Sequence, residues 1–217
     1  MWMNQIPGPA IERLLHLLRF LERLDVQFIT SSEIEDYTGW SSATVRKDIS
    51  YLEGISAGTA GYEVGRLKEV IRETLGLTEG RRICIVGLGR LGSAFLNFTG
   101  FEQEGFHLVA GFDSSVNRIE ILRSPVPLYP TYKMAEVISR FQIELALLCV
   151  PASEAQRSAE KLVAAGIRGI LNFAPVVLTV PPTVAVENLY VVDGLRALAA
   201  RLSSKKGTEP GIPGKNE

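Results

Sequence analysis

The 217-residue sequence predicts an α/β chain in two parts, a small helical unit with a β-hairpin and then a parallel sheet with helical crossovers, closed by one terminal helix. Three observations predict it. Apolar residues recur at three- and four-residue spacing through much of the first eighty positions. From Arg81 the pattern changes to short apolar runs separated by helical stretches. Between the first of those runs and the helix after it stand three glycines, Gly87, Gly89 and Gly92.

In the first part, Ile11, Leu14, Leu15, Leu18, Leu21 and Leu24 place a helix over residues 9–24, with Pro9 tolerated in its first turn. Ser32 with Glu35 three residues later reads as a capping box that opens a second helix, broken after about Thr38 by Gly39. A third helix begins at Ser41 or Ser42. It puts Val45, Ile49 and Leu52 on one stripe and leaves Arg46, Lys47, Ser50 and Tyr51 pointing largely elsewhere. Two short helices joined by a glycine turn make a helix-turn-helix candidate. Gly54, Gly58 and Gly61 among short side chains suit a tight hairpin over 55–64, and residues 67–75 read as another helix ending at Gly76. Together these elements compose a winged helix-turn-helix domain over residues 1–79.

In the second part, apolar runs at 83–86, 108–112, 145–150, 169–171 and 184–186 predict parallel strands, and residues 80–188 read as a Rossmann-type domain. Within 189–203 a last helix, 191–202, carries Leu195, Leu198, Ala199 and Leu202 on one face. It follows the final strand of a sheet that is already complete, so either its own domain or a second copy must cover that face. Residues 204–217, rich in Lys, Gly and Pro, are expected to be a disordered tail.

Composition excludes several classes. With 46% hydrophobic residues and 23 Lys and Arg against 24 Asp and Glu, the chain reads as an ordinary globular protein rather than a disordered or supercharged one. Its two cysteines, Cys84 and Cys149, lie inside apolar runs and read as buried, reduced thiols; no disulfide framework or zinc-ligand spacing is present. The start has no basic segment leading into an apolar one, and no run approaches the roughly 18 apolar residues of a membrane span. A cytoplasmic protein without membrane attachment is expected.

The motif that carries chemistry is Gly87-Leu88-Gly89-Arg90-Leu91-Gly92, which follows a strand directly and opens a helix. Gly87 permits the tight turn, Gly89 lets the backbone approach a pyrophosphate, and Gly92 allows the helix to pack closely on the strand. Asp113, 21 residues beyond Gly92, ends the second strand, where it can accept from a ribose 2′-hydroxyl and would repel a 2′-phosphate. NAD(H) is therefore expected over NADP(H). Arg90 reads equally as a phosphate contact or as a solvated surface residue. Hydride transfer would need a second domain and a proton donor, yet only His16 and His107 exist and neither is placed for catalysis. The site reads as a sensor's rather than an enzyme's, with a small NAD-dependent oxidoreductase as the lesser alternative.

Taken with Val45-Arg46-Lys47-Asp48-Ile49-Ser50-Tyr51 and the segment Gly169-Ile170-Leu171-Asn172-Phe173-Ala174-Pro175-Val176, the glycine motif gives a chain that resembles the Rex family of redox-sensing transcriptional repressors, over roughly residues 7–202. The resemblance implies a homodimer that binds an inverted-repeat operator in double-stranded DNA, exchanges its terminal helices, and lets go when NADH rises relative to NAD⁺. It places Arg46 and Lys47 on the recognition helix, with Ser42, Thr44 and Tyr51 nearby, and sets the nicotinamide close to Val150, Pro151, Asn172, Phe173 and Ala174.

Three departures from the family pattern stand out. The wing carries Ala57 and Gly58 where the family usually has basic residues. Residues 1–80 hold eight Lys and Arg against twelve Asp and Glu, a net charge of −4, which implies modest DNA affinity with a shallow salt dependence. In the polar set that couples subunits, Arg19 matches, but Phe98 stands in place of a tyrosine and Tyr190 near the position of an acid, with Asp193 one helical turn away. A related nucleotide sensor with altered or lost operator binding is the alternative these departures support.

Overall fold

The computed structural model describes residues 6–205, which divide into two compact units between Gly80 and Arg81. The first holds α1 (Gly8–Leu21), β1 (Phe28–Ile29), α2 (Ser31–Thr38), α3 (Ser42–Ile49), β2 (Tyr62–Glu63) and α4 (Val64–Thr74). Leu14, Leu17 and Leu21 of α1, Ile34 of α2, Val45 and Ile49 of α3, and Leu67 and Ile71 of α4 close one core. At net charge −4, its cohesion comes from that apolar stripe.

Local chemistry fixes the helix starts. The capping box is formed by Thr30 and Glu33, not Ser32 and Glu35. Thr30 is extended at the end of β1, so its hydroxyl accepts from the Glu33 N–H while the Glu33 carboxylate accepts from the Thr30 N–H. The Glu33 carboxylate accepts from the Thr30 N–H and also from the Thr30 hydroxyl, and these two bonds hold its carboxyl below the ordinary range. Glu35 instead reaches across the turn and accepts from the Ser42 N–H at 2.8 Å, capping α3 together with the Ser41 hydroxyl. Gly39, at φ 73°, ends α2 as expected.

The expected hairpin exists with a single bridge, in which Gly58 and Gly61 exchange N–H···O bonds of 2.8 and 3.1 Å around Thr59-Ala60. A second, antiparallel pairing of β1 with β2 anchors its base. The turn there tolerates only glycine at position 61, where φ is +99° and a Cβ would lie 2.4 Å from the Ile29 carbonyl oxygen. Two helices run differently from expectation: α1 stops at Leu21 rather than 24, and α4 starts at Val64 rather than 67 because β2 is only two residues long.

The second unit is a six-stranded, all-parallel sheet. Its strands are β3 (Arg81–Val86), β4 (Phe106–Asp113), β5 (Leu128–Pro130), β6 (Leu145–Leu148), β7 (Gly169–Asn172) and β8 (Ala185–Asn188), in the order β5-β4-β3-β6-β7-β8. Counted within the unit this is 3-2-1-4-5-6, the doubly wound order with a switch point between β3 and β6. Alternate residues face opposite ways: Cys84 and Val86 pack with α8 (Met134–Phe141) and α9 (Ala152–Ala164), Ile83 and Ile85 with the side of α5 (Arg90–Phe95) and α6 (Gly100–Gln103). A short α7 (Val116–Ile121) links β4 to β5. The strand β5 was not expected from the sequence, and β6 stops at Leu148 rather than 150.

The last helix, α10, spans Val191–Lys205, so it runs beyond the expected 202 and takes in the first residues assigned to a tail; the rest of that tail, from 206, lies outside the described residues. Val191, Leu195, Leu198 and Leu202 are all exposed. Among the described residues no helix is long and apolar enough to cross a membrane, and no cluster of His, Cys, Asp and Glu could hold a metal ion.

Candidate functional site

The carboxyl ends of four strands are stitched together at the switch point. The Gly87 N–H donates to the Phe112 carbonyl at 2.8 Å, Cys149 N–H to the Val86 carbonyl at 2.8 Å, and Phe173 N–H to the Leu148 carbonyl at 3.0 Å. Gly87 has φ 90°, and a Cβ there would lie 2.7 Å from both the Cys149 carbonyl oxygen and Val150 Cγ1. The glycine turn and the segment after β6 therefore touch. Ligands of open parallel sheets bind in this crevice.

The three glycines divide into two kinds. Gly87 and Gly92 are demanded by the protein itself, since a Cβ on Gly92 would sit 1.9 Å from the Gly87 carbonyl oxygen. Gly89 is not: its φ is −67°, and nothing of the protein lies within 4 Å of a Cβ built there. The fold gives no reason for a glycine at 89, whereas a phosphate approaching the start of α5 does. Gly89→Ala should leave the thermal midpoint unchanged yet weaken NADH binding roughly tenfold, about 1.4 kcal/mol, in a fluorescence titration. Unchanged affinity would remove the glycine motif from the site.

Asp113 is 3% exposed and stands beside this turn. Its Oδ2 accepts from the Leu88 N–H at 2.7 Å and from Arg118 Nη1 at 2.9 Å, and its Oδ1 accepts from the Ser115 N–H at 2.8 Å. Three of about four lone-pair directions are thus occupied. Asp113 first shapes the turn at Leu88, and one direction on Oδ1 carries no bond among the described residues. Arg90 and Leu91 are exposed at the start of α5.

On the far side, Asn172 is 1% exposed and its amide is turned inward. Its Oδ1 accepts from the Ala174 N–H at 3.0 Å, and its Nδ2 faces the Ala174 and Val176 carbonyls at 3.2 and 2.9 Å and Asn188 Oδ1 at 2.9 Å. Asn172, which the resemblance sets close to the nicotinamide, is thus buried and shapes the loop 173–176, in which Phe173 is half-buried and Ala174 is in the core. Phe173 packs on Phe95 with ring centroids 5.1 Å apart, and Phe95 meets Phe98 and Phe101. Phe98 and Tyr190 are both exposed on the second unit, and Arg19 is exposed on the first. Burial pushes the Cys149 thiol up to about 12 and Cys84 higher still, so both stay protonated and neither is a nucleophile.

In the first unit, α3 offers Arg46, Lys47 and Ser50 to solvent while Val45 and Ile49 face the core. Arg46 Nη1 donates to the Ser31 hydroxyl at 3.0 Å, Thr44 shares a 2.9 Å bond with Ser41, Ser42 and Tyr51 are half-buried, and the Lys47 ammonium has no hydrogen-bond or ion-pair partner among the described residues. The pair that orients α3 was not foreseen. Asp48, 3% exposed, accepts from Arg13 Nε at 2.5 Å and from Arg13 Nη2 at 2.8 Å, a bidentate clamp from α1. An acid on the same stripe as Val45 and Leu52 was the available signal, because a buried carboxylate needs a cation.

Residues 5–50 match the family model described as putative DNA-binding protein N-terminus, and residues 78–176 match the CoA binding domain model. The redox-sensing transcriptional repressor Rex of Thermus thermophilus is 43% identical over 209 residues, covering 94% of this chain and 98% of that protein. Its counterpart in Pelotomaculum thermopropionicum is 37% identical over 205 residues, covering 93% and 96%. The crystal structure of RSP, a Rex-family repressor, in complex with β-NAD⁺ and operator DNA matches with a TM-score of 0.86 at 33% identity, covering 94% of this chain and 95% of that one. RSP in complex with β-NADH matches at 0.83, with the same identity and 94% and 97% coverage. On these relationships, the chain belongs to the Rex family of redox-sensing transcriptional repressors.

Proposed function

We propose that this chain is a homodimeric repressor that binds operator DNA through α3 and releases it when NADH replaces NAD⁺ at the switch point of the sheet. The observation that carries the reading is the pairing of two sites in one chain: a glycine turn whose middle glycine the fold does not require, and a helix clamped so that Arg46 and Lys47 face solvent. NAD and coenzyme A share an adenosine diphosphate half, which is what the turn between β3 and α5 is built to receive. The loop after β7 and the segment after β6 offer Phe173, Val150 and Pro151 to the other end, while Ala174 is buried in the core. Apolar walls penalise the cationic NAD⁺ ring and not neutral NADH, so redox state becomes a difference in affinity. A repressor of this kind works in the cytoplasm, where the DNA is.

Lys47→Ala should abolish operator binding in a gel-shift or anisotropy assay while leaving NADH affinity intact. Loss of both, or of neither, would sink the assignment of the two sites to separate units. A contact by Lys47 with phosphate alone would instead weaken binding evenly across DNA sequences.

The wing bears on affinity. Residues 54–61 hold no charged side chain, and a Cβ on Gly58 would meet its nearest neighbour, the Gly61 carbonyl oxygen, at an ordinary 3.8 Å. Gly58→Arg is accordingly tolerated by the fold. It should tighten operator binding and steepen the slope of log K against log salt by about 0.9, one added phosphate contact. A slope that stays the same would place the wing away from the duplex and favour the reading of a sensor with an altered DNA site.

A further inference from the structure

Resting on that reading, we infer that Asn188 is a positioning residue that ties the cofactor loop, residues 173–176, to the root of α10, so that loop geometry and helix placement change together. Three observations carry it. First, the amide of Asn172 is committed on both sides. Its orientation follows from its partners, because only the NH2 group can face the carbonyl oxygens of Ala174 and Val176 and only Oδ1 can accept from the Ala174 N–H. Second, that NH2 group is over-subscribed. It carries two hydrogens but faces three acceptors, the two loop carbonyls and Asn188 Oδ1, at 2.9 to 3.2 Å. A change that draws either loop carbonyl closer weakens the bond to Asn188, and one that moves it away strengthens it. Third, Asn188 ends β8, paired with Asn172 in register, and Leu189 N–H donates to the Asn172 carbonyl at 2.8 Å. Only Leu189 and Tyr190 then separate this clasp from α10, whose Val191, Leu195 and Leu198 are exposed.

The arrangement has the form a switch needs, one donor shared between a ligand-facing loop and the start of an element with an uncovered apolar face. Asn188 itself is exposed. Removing its side chain leaves Asn172 bonded to both loop carbonyls, so the loop keeps its shape while the link to α10 is cut.

The test uses the full chain and three titrations: NADH alone, operator duplex alone, and operator duplex at saturating NADH. The ratio of the two operator dissociation constants is the coupling. Asn188→Ala should keep NADH affinity and cofactor-free operator affinity near those of the parent chain while the ratio falls about fivefold or more. Asn188→Asp, which keeps an acceptor at the same place, should restore it. An unchanged ratio in Asn188→Ala would overturn the proposal. So would a parallel loss of NADH affinity, which would make the residue part of the pocket, or an Asn188→Asp variant that behaves like Asn188→Ala. A parent chain that shows no NADH-dependent release contradicts the functional reading itself, and the parent titration alone reveals that.

Discussion

Gly92→Ala is expected to weaken NADH binding by about fivefold to beyond a hundredfold. The added methyl would be placed 1.9 Å from the Gly87 carbonyl oxygen and 3.2 Å from Ile85 Cγ2, so the first contact is with backbone. No rotamer can relieve it. Either α5 moves away from β3 or Gly87 moves, and Gly87 is held by its bond to Phe112 and by the Cys149–Val150 segment against it. Overpacking of this kind costs about 1–3 kcal/mol and can cost more. Spent on the turn itself, it corresponds to a loss of about fivefold to beyond a hundredfold in affinity. Isothermal titration with NADH measures this directly, and Gly89→Ala is the control that keeps the fold. Tight binding by Gly92→Ala would mean that the cofactor does not use this turn.

The second large effect is expected in the DNA-binding unit. Arg13→Leu should lower its stability by about 3 kcal/mol, near the bottom of the range for breaking a buried ion pair. The low end applies because the Arg13 side chain is 29% exposed, against 5% for Asp48. What remains is a carboxylate beneath α3 with no cation to answer it. Operator binding should fall with stability, since α3 loses the clamp that sets its orientation. The double variant Arg13→Leu with Asp48→Leu removes both charges, and much of the stability should return. Urea unfolding followed by tryptophan fluorescence reports the unit through Trp40. A single variant as stable as the parent, or a double variant no better than the single, would show that the pair does not hold the helix.

Much of the fold is legible in the sequence because burial writes itself as period. The runs at 83–86 and 145–148 are apolar at every position since both faces of the sheet are covered there, and the switch point follows once Gly87 is seen to end the first strand. The strand β5 is hidden for a physical reason. It has three residues, lies among Pro125, Pro127 and Pro130, and sits at the sheet edge, where a proline costs no ladder bond. The capping box is misread by two positions because Thr30-Ser31-Ser32 offers three hydroxyls in a row; β1 decides among them by holding Thr30 extended.

The candidate site is legible where chemistry is local and hidden where it is not. Gly87, Gly89 and Gly92 announce themselves within six positions, and Lys47 by its place opposite an apolar stripe. Asp113 is found by its spacing, but the three bonds that bury it are not. Asn172 is named by resemblance, while the bond that its amide also makes to Asn188, sixteen positions away, is not legible. The Arg13–Asp48 clamp spans thirty-five positions, which no periodic pattern encodes.

The central claim is that one chain reads the redox state of a dinucleotide and reports it on DNA. Fluorescence anisotropy of a labelled inverted-repeat duplex, titrated with the protein at fixed salt and then challenged separately with NADH and NAD⁺, tests it most directly. The account predicts binding that NADH reverses and NAD⁺ does not; binding indifferent to both, or none in any cofactor state, would contradict it.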